Sequence, residues 1–228
     1  MKKHEFSGNL GTYRIIETED GSPTLFSSHF DEACHSLSGA EGETYYNFIE
    51  GCELKTLALK HSPLNILEVG FGTGLGFKLT RKFMTENHPQ VSFNFVSLEI
   101  DPVLVEYSEL KATNLKVLIG DARVTLDSYQ GGPFHAIFQD PFSPKKNPRL
   151  WSVEWFESLK NHAHPDVVLS TYSASSSIRK ALMLAGWIVE QRKGFAGKRA
   201  STRAYLKGQI SEELIRKLSS DKIKPVRD

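Results

Sequence analysis

The sequence predicts an α/β fold, a parallel sheet with helices on both faces. Three observations carry that expectation. Residues 65 to 76 read Asn-Ile-Leu-Glu-Val-Gly-Phe-Gly-Thr-Gly-Leu-Gly, a short apolar strand running into glycine at every second position. Strand-like and helix-like segments then alternate along the chain, as parallel sheets require. Acidic residues Glu68, Glu99, Asp121 and Asp140 stand at or next to strand ends, the edge where open α/β sheets hold their ligands.

The elements follow in order. Thr12 to Thr18 and Pro23 to Ser27 flank Glu19-Asp20-Gly21-Ser22, an Asp-Gly hairpin signal. Glu43 to His61 reads as one helix carrying Tyr46, Phe48, Ile49, Leu54 and Leu57. After the glycine strand, Phe77, Leu79, Thr80 and Phe83 mark a helix. Phe93 to Ile100 is the second strand, and Asp101-Pro102 opens a helix with Asp as N-cap and Pro in the first turn. Leu115 to Ile119, Phe134 to Phe138 and Val167 to Tyr172 are the next three strands. A helix capped by Ser152 runs to His162, and another runs from Ser177 to Ala185, where Gly186 ends it. Trp187 to Gln191 and Thr202 to Lys207 form a closing hairpin. Residues 1–62 are therefore expected to cap the ligand side of the sheet. Residues 63–210 form the core, and 211–228 a basic surface helix with a loose end.

Bulk properties narrow the function. The 228 residues suit one α/β domain with a small decoration. Lys and Arg number 28 against 27 Asp and Glu, so nucleic-acid binding would need a local patch. Cys34 and Cys52 form no Cys-x-x-Cys pair, which points to a reducing cytoplasm and no structural zinc. Met1-Lys-Lys-His-Glu is polar and no long apolar run follows, so neither a signal peptide nor a membrane span is expected.

The glycine spacing selects among nucleotide-binding loops. A dinucleotide fingerprint starting at Gly70 needs glycine where Leu75 sits, and one starting at Gly72 needs it at Phe77. No Gly-Lys-Ser/Thr follows, which excludes a P-loop. The remaining pattern, Glu68-x-Gly70-x-Gly72-x-Gly74, resembles the first motif of class I S-adenosylmethionine (SAM) methyltransferases. That resemblance implies a Rossmann-like, mostly parallel seven-stranded sheet with the N-terminal hairpin and helix as a cap. It also implies a SAM site built from Glu68, Gly70, Phe71, Gly72, Thr73, Gly74, Glu99, Asp121 and Ala122. Glu99 would accept the ribose hydroxyls and Asp121 the adenine amine, although Asp121 equally suits a helix N-cap. Glu68 would brace the glycine loop or the methionine amine.

Asp140-Pro141-Phe142-Ser143-Pro144 is the second chemical feature. In methyltransferases acting on nitrogen, an Asp or Asn followed by Pro and an aromatic often takes this place. The carboxylate accepts hydrogen bonds from the target amine, and the ring packs beside it. Asp140 is thus the candidate catalytic residue, also reaching the cofactor, with Phe142 beside the substrate.

The whole run from Asp140 to Trp151 resembles the Asp-x-Phe-x-Pro-x-x-Asn-Pro-x-x-Trp signature of the MnmC methyltransferase family. Phe71-Gly-Thr-Gly-Leu75, Ser175 to Arg179, Ala185-Gly186-Trp187, Lys193 to Arg199 and Phe30 to Ser36 add to the likeness. It covers roughly residues 12 to 207. Pro141 replaces the usual Gly or Ala and bears on the width of the amine pocket; Cys34 stands where an aromatic is common.

The resemblance implies methylation of 5-aminomethyl(-2-thio)uridine at the tRNA wobble position. It implies a stand-alone form without the FAD-dependent oxidase domain, a separate enzyme supplying the aminomethyl substrate, and no metal. The anticodon stem-loop would be held by Lys145, Lys146, Arg149, Arg179, Lys180, Lys193, Lys198, Arg199 and Arg203, with Phe195 stacking on the flipped base. Two alternatives stay open: a small-amine transferase of the same fold, aminopropyltransferase-like, and a catalytically silent RNA-binding module.

Overall fold

The computed structural model describes residues 4–228; the start of the polar N-terminal run read above, Met1 to Lys3, lies outside the described residues. The N-terminal part is a four-stranded antiparallel sheet of β1 (Glu5–Ser7), β2 (Thr12–Glu17), β3 (Pro23–Ser27) and β4 (Glu32–Ala33), in that spatial order. The expected hairpin is β2 and β3, where Asp20 Oδ1 accepts from the Ser22 N–H at 3.0 Å and closes the turn. Asp101 joins this sheet to the core. One of its oxygens caps the helix that follows through the Val103 N–H at 3.1 Å, and the other accepts from Tyr13 Oη at 3.0 Å and the Asn9 N–H at 2.9 Å.

The central sheet contains β5 (Leu64–Val69), β6 (Phe93–Glu99), β7 (Leu115–Ile119), β8 (Phe134–Gln139), β9 (Ala163–Thr171), β10 (Ile188–Arg192) and β11 (Ser201–Tyr205). Its order is β10-β11-β9-β8-β5-β6-β7, and only the pairs made by β11 are antiparallel. β5 and β8 lie at the centre, with Ile66, Leu67, Val69, Ala136, Ile137 and Phe138 all buried. Apolar residues buried on both faces of a strand belong to parallel strands covered on both sides.

After β7 the chain crosses back past β5 and enters on its other side as β8. β5 and β8 therefore flank the switch point of the sheet, where the outgoing loops diverge and leave a crevice at the carboxyl ends. α3 (Leu75–Asn87) packs on one face with Phe77, Phe83 and Phe95. α6 (Val153–Asn161) and α7 (Ser176–Leu184) pack on the other, around Trp151, Trp155 and Trp187. Each indole N–H is satisfied, by Phe142 O, Gln139 Oε1 and Phe156 O at 2.9, 3.1 and 2.9 Å. A buried N–H left unpaired costs about 1–3 kcal/mol, so these bonds hold the tryptophans in one orientation.

The helix starts read from the sequence are present. α4 (Pro102–Ser108) and α5 (Ala122–Asp127) begin at their Asp101 and Asp121 caps, and α8 (Glu212–Leu218) at Ser211. The continuous helix expected over Glu43 to His61 is not. The chain forms α1 (Ala40–Thr44), a π-helical turn (Tyr45–Glu50), and α2 (Leu54–Ala58) after Glu53 takes a left-handed conformation. Side chains from the sheet cause the break by taking the turn's carbonyls: Ser170 Oγ donates to Asn47, Arg192 to Tyr46 and Arg203 to Glu50. A Cβ at Gly51 would lie 1.6 Å from the Asn47 oxygen, so glycine is required there. Among the described residues no helix is long and apolar enough to cross a membrane.

Candidate active site

A cavity of about 570 Å³ opens between the carboxyl ends of β5 to β8 and the N-terminal cap. The glycine loop forms its floor. Gly70 turns the chain out of β5 with φ +95°, and a Cβ there would lie 2.8 Å from the Asp140 carbonyl oxygen. A Cβ at Gly76 would lie 1.9 Å from Glu68 Oε1. Gly72 differs: its Cβ would meet nothing nearer than Cys34 Cβ at 3.9 Å, so that space belongs to the cavity. Gly74 begins α3 without a side-chain cap, leaving the first N–H groups of a helix available to a ligand. Phe71 lines the cavity; Thr73 and Gly74 stand behind it, Gly74 packed against Leu110 and Phe71.

The acidic strand ends converge on the same space. Glu99 is buried; its Oε2 accepts from the Gly72 N–H at 3.1 Å and its Oε1 from the Asp101 N–H at 2.9 Å. Each oxygen retains a lone pair, and burial raises its pKa. Glu68 accepts from Ser97 Oγ at 2.7 Å, and burial pushes its carboxyl up to about 8. Asp121 sits at the exposed rim and caps α5 through the Arg123 N–H at 3.0 Å, with Ala122 buried beside it.

Asp140 leaves the end of β8 next to β5, its N–H bonded to the Val69 carbonyl at 3.1 Å. The turn after it is tied on every side. Tyr172 Oη donates to the Pro141 carbonyl at 2.8 Å and Trp151 Nε1 to the Phe142 carbonyl at 2.9 Å. The Ser143 N–H and Oγ donate to Glu32 Oε2 at 3.2 and 2.7 Å, and Phe142 stacks on Phe30 at 4.2 Å. Among the described residues no hydrogen bond reaches the Asp140 carboxyl itself, which lines the cavity. Burial, followed by the charges of Glu43 and Glu68, raises its pKa well above the usual carboxylate range, and Lys198 opposes them.

The cap supplies residues that the sequence did not single out as site residues: Glu32, Glu43 and Asn47, together with Tyr172 from the end of β9. Glu32 lies inside the Phe30 to Ser36 stretch already marked. Glu43, at the end of α1, carried no local signal, and neither did Asn47, because the π-turn that presents it depends on distant side chains. Their His35 neighbour has its pKa lowered by burial to about 4.

The basic residues divide. Lys145 and Arg199 are exposed, and Arg149, also exposed, stands at the cavity rim. Lys146 pairs with Asp31 at 2.9 Å. Arg179 is buried, holding Thr202 Oγ1 at 2.9 Å and Gln191 Oε1 at 2.8 Å. Lys180 donates to the Ser220 carbonyl at 3.0 Å, and Arg203 pairs with Glu53 at 2.6 Å. The latter three thus have internal partners where the sequence offered them to RNA. Phe195 is turned inward as well: a Cβ on Gly42 would lie 2.8 Å from its ring, which leans on Tyr46. Lys198 reaches the cavity wall and pairs with Glu43.

At the opposite end of the sheet, His61, His135 and His164 bring one nitrogen each within 4.8 Å of one another. The Asn65 and Asp166 N–H groups donate to Nδ1 of His135 and His164 at 3.0 and 3.1 Å. Each neutral ring then keeps its proton on Nε2, so neither ring has a lone pair left for a cation.

A family model of S-adenosyl-L-methionine-dependent methyltransferases matches residues 87–207. The crystal structure of MnmC2 from Aquifex aeolicus superposes with a TM-score of 0.83 at 30% identity, over 95% of this chain and 79% of that one. This chain belongs to the S-adenosyl-L-methionine-dependent methyltransferases, in the family of the MnmC methyltransferase domain. The bifunctional MnmC protein of Azoarcus sp., of tRNA 5-methylaminomethyl-2-thiouridine biosynthesis, is 31% identical over 84% of this chain, which spans 35% of its length. A probable spermidine synthase from Corynebacterium glutamicum has a TM-score of 0.66 at 16% identity, a likeness of fold alone.

The cofactor of this methyltransferase family is SAM, and the cavity fits it. The glycine floor is a cradle that a side chain at Gly72 would fill. The walls carry Glu32, Glu43, Glu68, Glu99 and Asp140, acidic acceptors suited to a ligand with a sulfonium and an ammonium group.

Proposed function

We propose that this chain methylates the primary amine of 5-aminomethyl(-2-thio)uridine at the tRNA wobble position. The observation that carries the proposal is the Asp140 carboxyl, aimed into the SAM cavity from a turn fixed on both sides and left without a protein partner. SAM, when bound, supplies an electrophilic methyl group. In this reading Gly70, Phe71 and Gly72 form its bed, Glu99 receives the ribose hydroxyls, Asp121 and Ala122 flank the adenine, and Glu68 faces the methionine end.

Attack requires a neutral amine. Each pKa unit of a protonated amine above the working pH costs about 1.4 kcal/mol. A nearby sulfonium lowers that pKa and a carboxylate raises it. Asp140 therefore acts as an orienting acceptor that fixes the lone pair and passes the proton to water, rather than as a strong base. Phe142 and Tyr172 wall the amine's approach. Lys145, Arg149, Lys193 and Arg199 are exposed cations available to the anticodon stem-loop. The reading sets the reaction in the cytoplasm, after a separate enzyme that supplies the aminomethyl group.

Methyl transfer from labelled SAM is the test, with tRNA and polyamines offered in parallel. Label in tRNA from cells lacking the final methylation supports the proposal. Label in the polyamine alone would move the activity to the small-amine class, and tRNA binding without transfer would leave an RNA-binding module.

A further inference from the structure

Among the described residues the cavity contains one internal ion pair, between Glu43 and Lys198. Its two ends are unequal. The Glu43 side chain is 12% exposed and that of Lys198 44% exposed, so the anion lies deep and the cation near the mouth. Glu43 Oε2 is fixed by the Ser36 N–H at 3.1 Å, and Ser36 Oγ also accepts from Lys198 Nζ at 3.3 Å. The segment carrying Lys198 is docked on the helix that carries Glu43. Tyr46 Oη donates to the Lys193 carbonyl at 2.8 Å, and Phe195 covers Gly42.

We propose that this pair is the recognition element for the acceptor, and that it opens by exchange. A nucleotide bearing a primary ammonium on its base places the ammonium at Glu43, beside Asp140, and a phosphate at Lys198. The proposal rests on the reading of the function given above and names which residues select its substrate.

The charge pattern supports the exchange. The largest charge effects on Asp140 come from Glu43, Glu68 and Glu32 on one side and Lys198 on the other. Drawing Lys198 outward leaves an excess of carboxylates at the inner end, which an ammonium replaces. Glu43 loses one charge-assisted partner and gains another, while Lys198 does the same at the mouth. A ligand with a phosphate and no ammonium breaks the pair and leaves Glu43, the less exposed partner, uncompensated, the costly case for a charge held away from water. An unmodified uridine is therefore disfavoured, whereas an ammonium without a phosphate leaves only Lys198, which water at the mouth solvates. The pair selects for the ammonium.

The test uses the full chain with S-adenosylhomocysteine present and two anticodon stem-loops, one with 5-aminomethyluridine and one with unmodified uridine. Wild type should bind the aminomethyl form more tightly. Glu43→Gln should remove that preference, closing a gap of roughly tenfold or more between the two forms, with the unmodified form binding more tightly than to wild type because no ion pair has to break. Lys198→Gln should weaken both forms alike and reduce the salt slope by about 0.7, the value for one single-strand phosphate. If wild type prefers the aminomethyl form and Glu43→Gln keeps that preference, the pair is not the selector and only this proposal falls. Equal binding of both stem-loops by wild type would overturn it together with the reading it rests on. Circular dichroism and thermal melting, measured in parallel, report that each variant is folded.

Discussion

Ser143 donates twice to one oxygen of Glu32, from its N–H at 3.2 Å and from its hydroxyl at 2.7 Å. This contact joins the turn that follows Asp140 to the N-terminal cap across 111 residues of chain. Ser143→Ala removes the shorter bond. A displacement of catalytic groups by about 1 Å can cost on the order of 10²-fold in rate, so single-turnover methylation should slow by roughly ten- to a hundredfold with SAM affinity unchanged. Glu32→Gln, which keeps an acceptor oxygen, should retain most of the rate. Equal losses in both variants would assign the effect to the Glu32 charge instead.

The same contact shows what the sequence could and could not reveal. Asp140, its Pro-Phe-Ser-Pro turn and the Gly70 to Gly76 loop are contiguous motifs with local backbone requirements, and the structure brings them to one cavity. Asp101 and Asp121 are legible as caps because capping is a short-range bond. The broken helix over residues 43–61 is not legible, since Ser170, Arg192 and Arg203 take its carbonyls from distant strands. Asn47 enters the site from that turn. Arg179 and Arg203 look like surface cations in sequence because nothing local announces their internal partners.

SAM binding should release protons. Burial raises Glu68 to about 8 and raises Asp140 and Glu99 as well, so at pH 7 Glu68 is largely protonated in the free protein. A cationic ligand lowers these pKa values, and the protons leave on binding. Affinity should therefore rise with pH up to about 8 and level off above. Calorimetry in buffers of different ionisation enthalpy measures the release, and Glu68→Gln should reduce it. Proton uptake, or none, contradicts the arrangement.

Gly72→Val places a side chain in the cradle, at a φ of +53°. The expected loss is roughly ten- to a hundredfold in SAM affinity, the scale of about 1–3 kcal/mol typical of overpacking. Circular dichroism confirms the fold, and unchanged affinity in a folded variant would place the cofactor elsewhere.

Asp140→Ala should separate binding from chemistry. Among the described residues the carboxyl has no hydrogen-bond partner to abandon, so the fold should change little and SAM affinity should fall far less than the rate. The single-turnover rate should fall by about 10²–10⁴-fold, the usual contribution of a positioned acid–base group. Asp140→Asn, which keeps an acceptor, should fall between. A rate within a few-fold of wild type in Asp140→Ala would reduce Asp140 to a turn residue.

Nucleoside analysis tests the central claim most directly. Transfer RNA from cells lacking the final methylation is incubated with SAM and this protein, digested, and resolved by chromatography with mass detection. The account predicts that 5-aminomethyl(-2-thio)uridine disappears and 5-methylaminomethyl(-2-thio)uridine appears in equal amount, with every other nucleoside unchanged. Methylation of any other nucleoside, or persistence of the aminomethyl form with SAM bound, would contradict it.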